Sequence, residues 1–332
     1  MSIEKSGRRN LLFLMLLGVF ASLLVLSNAY ADDGRAWAQE EALKEAQVDN
    51  SNSTLPVASY RQELGRTVVV EEEAFKQELD SRTRFMPGTG AKSQPGGVGL
   101  ISSAAEYSYQ TKAFGKIPVE FAIGSKYIGI NNSTAVKLPG RLTSVDFGVQ
   151  ATLPFFNFNK TYFTVALAPG FYTDNWNFRS ESFHLNQRYF MIYQPTEKWT
   201  FVLGAQYEPG FKPAVSPIAG FIYRPNEKLT FNIIPVNPEI SYKLDKKWTV
   251  FAEAGWVNDE YKVTQDNLKN AVLNYNEMRA GGGVRYAINK YIETSLSLGN
   301  VFNRSIIYRQ DSLGKVALNN GLYTEFRLDI IM

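Results

Sequence analysis

Apolar and polar residues alternate one by one through most of the chain after residue 98. In residues 144–153 the odd-numbered positions are Val, Phe, Val, Ala and Leu, whereas most even-numbered positions are polar. Residues 322–332 alternate in the same way up to the final Met332. A period of two predicts β-strands with one apolar and one polar face. We therefore expect an all-β protein.

A short polar turn recurs between such strands. In each copy an aromatic residue precedes the turn, and an aromatic residue or Leu follows it. The turn centres carry Pro, which fixes φ, or Asn and Asp, whose side chains bond the nearby backbone. Short turns that alternate with longer connections are typical of an antiparallel up-and-down barrel. The copies are residues 193–201, 223–231, 242–250 and 286–294.

The strand count follows from the same pattern. We count about 13 segments, whereas bacterial single-chain barrels have an even number of strands. We therefore expect about 12 strands, with 14 as the next possibility. One connection, residues 235–238, is short where a long loop is due, and its two prolines suit a rim rather than a central ladder.

The first residues predict a signal peptide over residues 1–31. Three basic residues precede an apolar run from residue 11 to residue 26, and Ala29 and Ala31 occupy the −3 and −1 positions of a cleavage site. A helix that spans a membrane needs about 20 apolar residues. Because the run is shorter, we expect cleavage after Ala31 rather than an uncleaved anchor.

Residues 32–97 differ from the rest of the chain. Helix formers are frequent over residues 33–47, and Pro and Gly over residues 87–97. We expect a periplasmic extension that is partly helical or disordered, or else an ordered plug, followed by a barrel over residues 98–332. Within this region residues 65–71 resemble the acidic-flanked Thr-hydrophobic-Val box of receptors that couple to TonB; the alternative is an exposed strand or a partner-binding peptide.

Composition narrows the chemistry. The chain has no Cys and one His, which excludes disulfides, thiolate nucleophiles and polyhistidine metal sites. Removal of residues 1–31 takes two net positive charges from the total of +3, so the mature chain is near neutral and has no basic field for nucleic acid. We expect no cofactor, no metal and no nucleic-acid partner.

The signal peptide, the aromatic-flanked turns and the alternating last strand resemble those of Gram-negative outer-membrane β-barrel proteins. The turns and residues 233–242 are similar to a family of functionally uncharacterised outer-membrane barrels. This resemblance covers residues 98–332 and implies a transmembrane barrel that contacts outer-membrane lipids and lipopolysaccharide and is inserted by the barrel-assembly machinery. The class commonly ends on Phe, whereas this chain ends on Met332. A soluble periplasmic barrel or sandwich with its apolar face inward is the alternative.

Aromatic placement favours the membrane barrel. Membrane barrels carry aromatic girdles at both interfaces, whereas a soluble core would place these side chains near the middle of the strands. The predicted interface residues are Tyr193, Trp199, Tyr207, Tyr223, Tyr242, Trp248, Trp256 and Tyr291.

If the apolar faces meet lipid, the polar faces line the lumen. Charges of both signs then predict either ion pairs that fill a narrow interior or a charged constriction in a pore. The candidate lumen residues are Asp146, His184, Arg188, Glu253, Arg279, Arg285, Glu325 and Arg327.

His184 is the single candidate for imidazole chemistry. Strand parity places it with Ser182, Asn186 and Arg188, and a Ser/His/Asn set resembles outer-membrane lipid hydrolases, which activate a nucleophile with an oriented base. In those enzymes a Ser follows at the position that Asn186 occupies here, and the pair faces lipid.

We therefore expect a non-enzymatic outer-membrane barrel that is a passive or gated channel for small solutes, or a structural component of the envelope. One alternative is a scaffold protein that binds a periplasmic partner through the N-terminal extension and the long loops. The other is a lipid-modifying enzyme that uses His184.

Overall fold

The structure is a computed structural model. It describes residues 76–113, 117–154, 160–176, 178–209, 214–235, 237–264, 271–310 and 313–332. The predictions for residues 1–31, 33–47 and 65–71 lie outside the described residues. In the described part of the chain, no helix is both long enough and apolar enough to cross a membrane.

The described chain consists of β-strands and one turn of 3-10 helix at Ser180–Ser182. The strands are β1 (Lys76–Gly90), β2 (Gly97–Ala113), β3 (Ile117–Asn132), β4 (Arg141–Pro154), β5 (Thr161–Thr173), β6 (Phe183–Thr196), β7 (Trp199–Tyr207), β8 (Val215–Tyr223), β9 (Leu229–Asn232), β10 (Glu239–Lys243), β11 (Trp248–Val263), β12 (Ala271–Ala287), β13 (Ile292–Tyr308), β14 (Lys315–Ala317) and β15 (Gly321–Ile331).

The strands form one antiparallel sheet that closes on itself. Each strand from β1 to β13 pairs with the next, and β15 pairs with both β13 and β1. The short β14 pairs only with β13, so the ring contains fourteen strands. At the seam the Met332 N–H donates to the Gln77 carbonyl at 2.8 Å. The prediction of an antiparallel barrel is confirmed; the count of 12 strands is wrong, and the second choice of 14 is right.

The barrel begins at Lys76 rather than at residue 98. Residues 76–97, which we placed in the extension, form β1 and the loop to β2. The inward face of β1 carries the buried Asp80, Arg82 and Arg84. Because its outward face has few large apolar side chains, the apolar period of two was too weak to indicate a strand.

The wall changes width between its two ends. Near the long loops, Lys262 of β11 pairs in parallel with Thr173 of β5, and the Asp174 N–H donates to the Lys262 carbonyl at 3.1 Å. At this level the ring therefore consists of nine strands, β1–β5 and β11–β14, which we call the neck. The other five strands, β6–β10, end below it. We call the fourteen-strand part on the side of the short turns the chamber.

The neck is filled by an apolar core. A ring of about eight strands is just wide enough for side chains to fill, and the nine strands of the neck are close to that width. The core residues all come from β1–β5 and β11–β15, or from the bridge between β14 and β15. They are Met86, Val98, Leu100, Ile128, Ile130, Leu142, Tyr172, Val257, Tyr261, Val263, Ala271, Leu273, Tyr275, Val301, Ile306, Tyr308, Val316, Leu318 and Tyr323.

Polarity reverses from neck to chamber along the same strand. In β13, Ser297 is buried and Leu298 is 61% exposed in the chamber, whereas Ile306 is buried in the neck and Asn303 is exposed. Similar reversals occur in β1, β3 and β12. The exposed apolar side chains thus form a belt around the chamber. The belt spans about nine residues of most strands, the length that crosses a bilayer.

The short turns share one hydrogen-bonding device. The Oδ1 atom of Asp245 accepts from the N–H groups of Lys247 (2.7 Å) and Trp248 (2.9 Å). Asn226 and Asn289 accept from two backbone N–H groups in their own turns in the same way. These bonds fix the reversal, as predicted for Asn and Asp at these positions.

The two N–H donors hold the pKa of the exposed Asp245 carboxyl below its usual value, because they favour the charged form. Asp245→Ala should therefore lower the Tm in detergent by roughly 2–4 °C at neutral pH. Since the pKa in the folded state is lowered, this advantage of the native residue is complete above the pKa of an unfolded Asp, about 3.9, and is lost as pH falls through the lowered value. Asp245→Asn is the matched control and should stay close to the native Tm at neutral pH, because Asn already serves in the two sister turns; since Asn does not titrate, the variant should not share the loss at low pH. Equal Tm values for the Ala and Asn variants would contradict the assigned role.

Candidate functional site in the barrel interior

A network of buried charges lies on one side of the chamber. Arg84 of β1 donates through Nε to Glu325 of β15 at 2.7 Å and through Nη1 to Glu277 of β12 at 3.1 Å. Arg327 bonds both Glu325 and Glu253 of β11. We call Arg84, Glu253, Glu277, Arg279, Glu325 and Arg327 the charged layer.

The charged layer crosses the interior rather than following one ladder. Arg84 and Glu277 form an ion pair although β15 and β13 lie between their strands in the ring. Glu253 and Arg327 likewise form an ion pair although β12 and β13 lie between their strands. A second branch joins Arg285 of β12 to Glu239 of β10 at 2.9 Å. The charges thus tie together the wall from β1 to β10 by way of β15.

Gly281 and Gly299 leave room for the Tyr323 ring between the wall and this layer. A Cβ atom on Gly281 would lie 2.4 Å from the Tyr323 hydroxyl, and one on Gly299 would lie 2.6 Å from Cε1 of the same ring. The Tyr323 hydroxyl donates to Glu253 at 3.2 Å. The run of residues 281–283 therefore allows close packing against the wall.

The opposite side of the chamber, which we call its apolar side, carries a cluster of buried apolar residues. Its buried side chains come from β3, from β5–β8 and from the segment after β9. They are Ala122, Ala166, Ala168, Phe190, Ile192, Val202, Ile218, Ile222 and Ile234. The interior is therefore amphipathic: the charged layer lies on one side, and the apolar cluster lies on the other, next to the buried Glu120, Asp146 and Arg188.

The chamber wall has a gap on its apolar side. β9 and β10 have four and five residues, whereas their neighbour β11 has 16. Among the described residues, the part of β8 from Val215 to Gly220 has no ladder partner on its β9 side. The part of β11 between Ala254 and Lys262 has none on its β10 side, so two unpaired edges face each other across the gap. The sequence explains the short strands, because Pro235 and Pro238 lack N–H donors for a ladder.

Asn232 fixes the floor of this gap. Its Oδ1 accepts from the Ile234 N–H at 3.2 Å, and its Nδ2 donates to the Asn237 carbonyl at 3.1 Å. Ile234 is consequently buried against the apolar side of the chamber, whereas the adjacent Ile233 is 39% exposed on the outer surface. The top of the gap is held by Thr264, whose N–H donates to Asp174 at 2.8 Å.

The predicted lumen residues are buried or half-buried on the inward faces of their strands. Glu253, Arg279, Glu325 and Arg327 meet in the charged layer, and Arg285 joins its second branch. Asp146, His184 and Arg188 lie on β4 and β6, away from the layer. Any activity of these residues stays a prediction.

The His184 set is engaged in wall packing. The imidazole stacks on the Tyr172 ring with centroids 5.1 Å apart, and the Asn186 amide donates to the Tyr172 hydroxyl at 2.9 Å. The Ser182 hydroxyl donates to the Arg179 carbonyl at 2.8 Å. His184 and Asn186 therefore hold Tyr172, a core residue of the neck, in place. In the described part of the chain, no group of three or more His, Asp or Glu residues is arranged to hold a metal ion.

Sequence reasoning missed two central members of the charged layer. Arg84 was missed because it lies in the segment taken as an extension. Glu277 could have been found, since it shares strand parity with Arg279. The predicted interface aromatics are exposed or half-exposed, with Tyr193, Trp199, Tyr223, Tyr242, Trp248 and Tyr291 near the short turns and Tyr207 and Trp256 toward the opposite edge of the belt.

Removing one member of a buried ion pair leaves its partner uncompensated, at a cost of about 3–5 kcal/mol. Glu325→Gln should therefore lower the free energy of unfolding by about this amount, because Arg84 and Arg327 lose their shared carboxylate. Urea unfolding in a lipid bilayer measures the loss. The control, Glu197→Gln in an exposed turn, should stay within about 0.5 kcal/mol of the native protein; equal losses for the two variants would show that the layer contributes nothing specific.

Comparison with solved structures shows barrels at low identity. The COG4313 outer membrane channel from Pseudomonas putida F1 is 11% identical, with 82% of this chain and 100% of that chain covered and a TM-score of 0.45. A Pseudomonas aeruginosa FadL homologue is 10% identical, with 78% and 90% covered and a TM-score of 0.41. The toluene transporter TodX of P. putida is 9% identical, with 77% and 89% covered and a TM-score of 0.35. Likenesses this distant carry no argument about function.

The comparison with curated proteins gave no match. A family model does match residues 117–328, more than half of the chain, and its description is Domain of unknown function (DUF6268). The resemblance to a functionally uncharacterised barrel family is thereby confirmed. The chain belongs to the DUF6268 family.

Proposed function

We propose that this protein is a gated channel of the bacterial outer membrane for small amphipathic solutes. The observation that carries the proposal is the amphipathic chamber, which has a charged side, an apolar side and a gap in its apolar wall. A fourteen-strand ring is wider than the roughly eight strands that side chains alone fill. Because inward side chains such as Phe190 and Glu325 are buried, they must move apart to admit a small molecule that presents both a polar and an apolar part, and we therefore propose a gated channel.

The exposed belt supports a location in a membrane. Leu298 of β13 and Leu322 of β15 are 61% and 65% exposed, whereas Glu325 of β15 is buried. A water-soluble barrel would have the reverse arrangement, as the neck does. A closed ring pairs the backbone of the wall outside the gap, as a spanning structure requires in lipid, and the short turns would then face the periplasm.

The neck and the charged layer support gating. The apolar core fills the neck, and the charged layer crosses the chamber below it. A solute that enters from the periplasmic side would reach the apolar wall and its gap without passing through the neck. We infer that the gap, rather than the neck, is the second opening.

Conductance and flux measurements test the proposal. Purified protein in planar bilayers should give small, intermittent conductance steps, and protein in liposomes should pass small amphipathic solutes faster than similarly sized sugars. A protein that is silent in both assays while it migrates as a folded, heat-modifiable barrel on gels would exclude the channel and favour the scaffold alternative. The described residues offer no observation that favours lipid modification by His184.

The residue at the floor of the gap allows a sharper test. Ile234→Ala should raise the flux of an amphipathic solute, because it removes a buried side chain between the chamber and the gap. It should also lower stability by about 2–5 kcal/mol through lost packing. The matched control is Ile233→Ala, which removes the same atoms from the outer surface and should leave the flux unchanged. A flux that is unaltered in both variants, with both barrels folded, would place the passage elsewhere.

A further inference from the structure

Each copy of the repeated turn places an exposed lysine at the edge of the apolar belt. The residue after each lysine is Trp, Leu, Trp or Tyr, and it begins the next strand or lies directly before it. All four ammonium groups thus lie on the same rim of the barrel, on consecutive hairpins of the ring. They belong to Lys198, Lys228, Lys247 and Lys290.

Aromatic rings form a platform directly beside these lysines. Trp199 stacks on Tyr223 across the ladder with centroids 4.2 Å apart, and Tyr223 lies 6.1 Å from Phe231. Farther along the rim, Trp248 and Tyr286 are 4.5 Å apart. The rings face outward at the end of the belt, where an amphipathic ring is favoured at a membrane interface.

The turns hold this arrangement in place and leave it positively charged. The hydrogen bonds of Asn226, Asp245 and Asn289 fix the backbone at or beside each of three lysines. Basic groups outnumber the carboxylates in the described residues of these turns. Within the four copies the basic groups are Lys198, Arg224, Lys228, Lys243, Lys246, Lys247 and Lys290, and the carboxylates are Glu197, Glu227, Asp245 and Glu293.

We propose that this lysine–aromatic rim binds the phosphate groups of anionic phospholipids in the leaflet that faces the short turns. An ammonium group attracts a phosphate, while the neighbouring rings contact the glycerol and the first carbons of the acyl chains. Phosphatidylglycerol fits both parts, since it has one net negative charge and two chains. The inference rests on the membrane location proposed above but not on channel activity.

Lipid-dependent stability tests the rim. The protein in neutral detergent is titrated with phosphatidylglycerol, with zwitterionic phosphatidylethanolamine or with inorganic phosphate, and binding is followed by the rise in Tm and by native mass spectrometry. We expect phosphatidylglycerol to raise the Tm more than phosphatidylethanolamine does. We also expect inorganic phosphate to have no effect, because it lacks the acyl chains.

The test variant changes Lys198, Lys228, Lys247 and Lys290 to Gln. Its affinity for phosphatidylglycerol should fall about fivefold for each lysine removed, since a basic residue near an anionic surface contributes about 1 kcal/mol. The matched control changes four exposed basic residues on the opposite rim to Gln, and its affinity should stay at the native value. These residues are Lys92, Lys137, Arg141 and Lys315.

The outcomes separate the possible failures. Equal losses in the two variants, or equal stabilisation by phosphatidylethanolamine, would overturn the rim as a specific site. A response to inorganic phosphate as large as that to phosphatidylglycerol would overturn a lipid as its ligand. A native protein that needs no detergent would refute the membrane location itself, whereas absent conductance would refute only the channel.

Discussion

One constraint underlies the rest of this structure: buried backbone groups must be paired, while the outer face of the wall changes from apolar to polar along its height. Closure of the sheet satisfies the first condition over most of the wall, because each strand of the ring has a neighbour on both sides except at the gap between β8 and β11. The second condition is met by reversing polarity within single strands. In β13 the outward residues change from Leu296 and Leu298 to Asn300 and Asn303, while the inward residues change from serines to Val301 and Ile306. The same backbone thereby carries an apolar outer face in the chamber and a polar outer face in the neck.

Charges inside the chamber follow from this arrangement. Once the apolar side chains face outward, the inward positions of a wide ring must hold polar groups, and buried ions are tolerated only in pairs. The buried Arg84 is paired with two carboxylates from different strands, Glu325 and Glu277. Each ion pair across the interior also fixes the distance between the strands that carry it. The charged layer thus both lines the chamber and holds its strands at fixed distances from one another.

The sequence revealed the parts of the fold that are set by local alternation. Residues 144–153 and 322–332 lie in the belt, where the apolar surroundings impose a clear period of two, and both were predicted as strands. β1 was missed because Arg82 and Arg84 serve the interior and leave little apolar signal. The 13 segments that we counted lacked only β1, so the even number of strands should have been reached by adding one strand rather than by removing one. Parity placed Glu325 and Arg327 on the inward face, but it could not say which strands their partners would come from.

The neck lay beyond sequence reasoning because it depends on a contact between distant residues. Asp174 and Thr264 are 90 residues apart, and no local pattern indicates that β5 and β11 meet. Their junction is also the weakest part of the ring. It has one parallel bridge, the bonds of Asp174 and Asn175 to Thr264, and the ion pair of Lys126 with Asp259.

Elsewhere, long ladders join the strands of the neck, such as the 16 paired residues between β11 and β12. A hydrogen bond contributes only about 1 kcal/mol net, so separating β5 from β11 would break few bonds and leave the other pairings intact. Opening there would nevertheless expose the apolar core of the neck to water, at about 25 cal/mol for each Å². The packed core, rather than the hydrogen bonds of the junction, therefore keeps the neck closed.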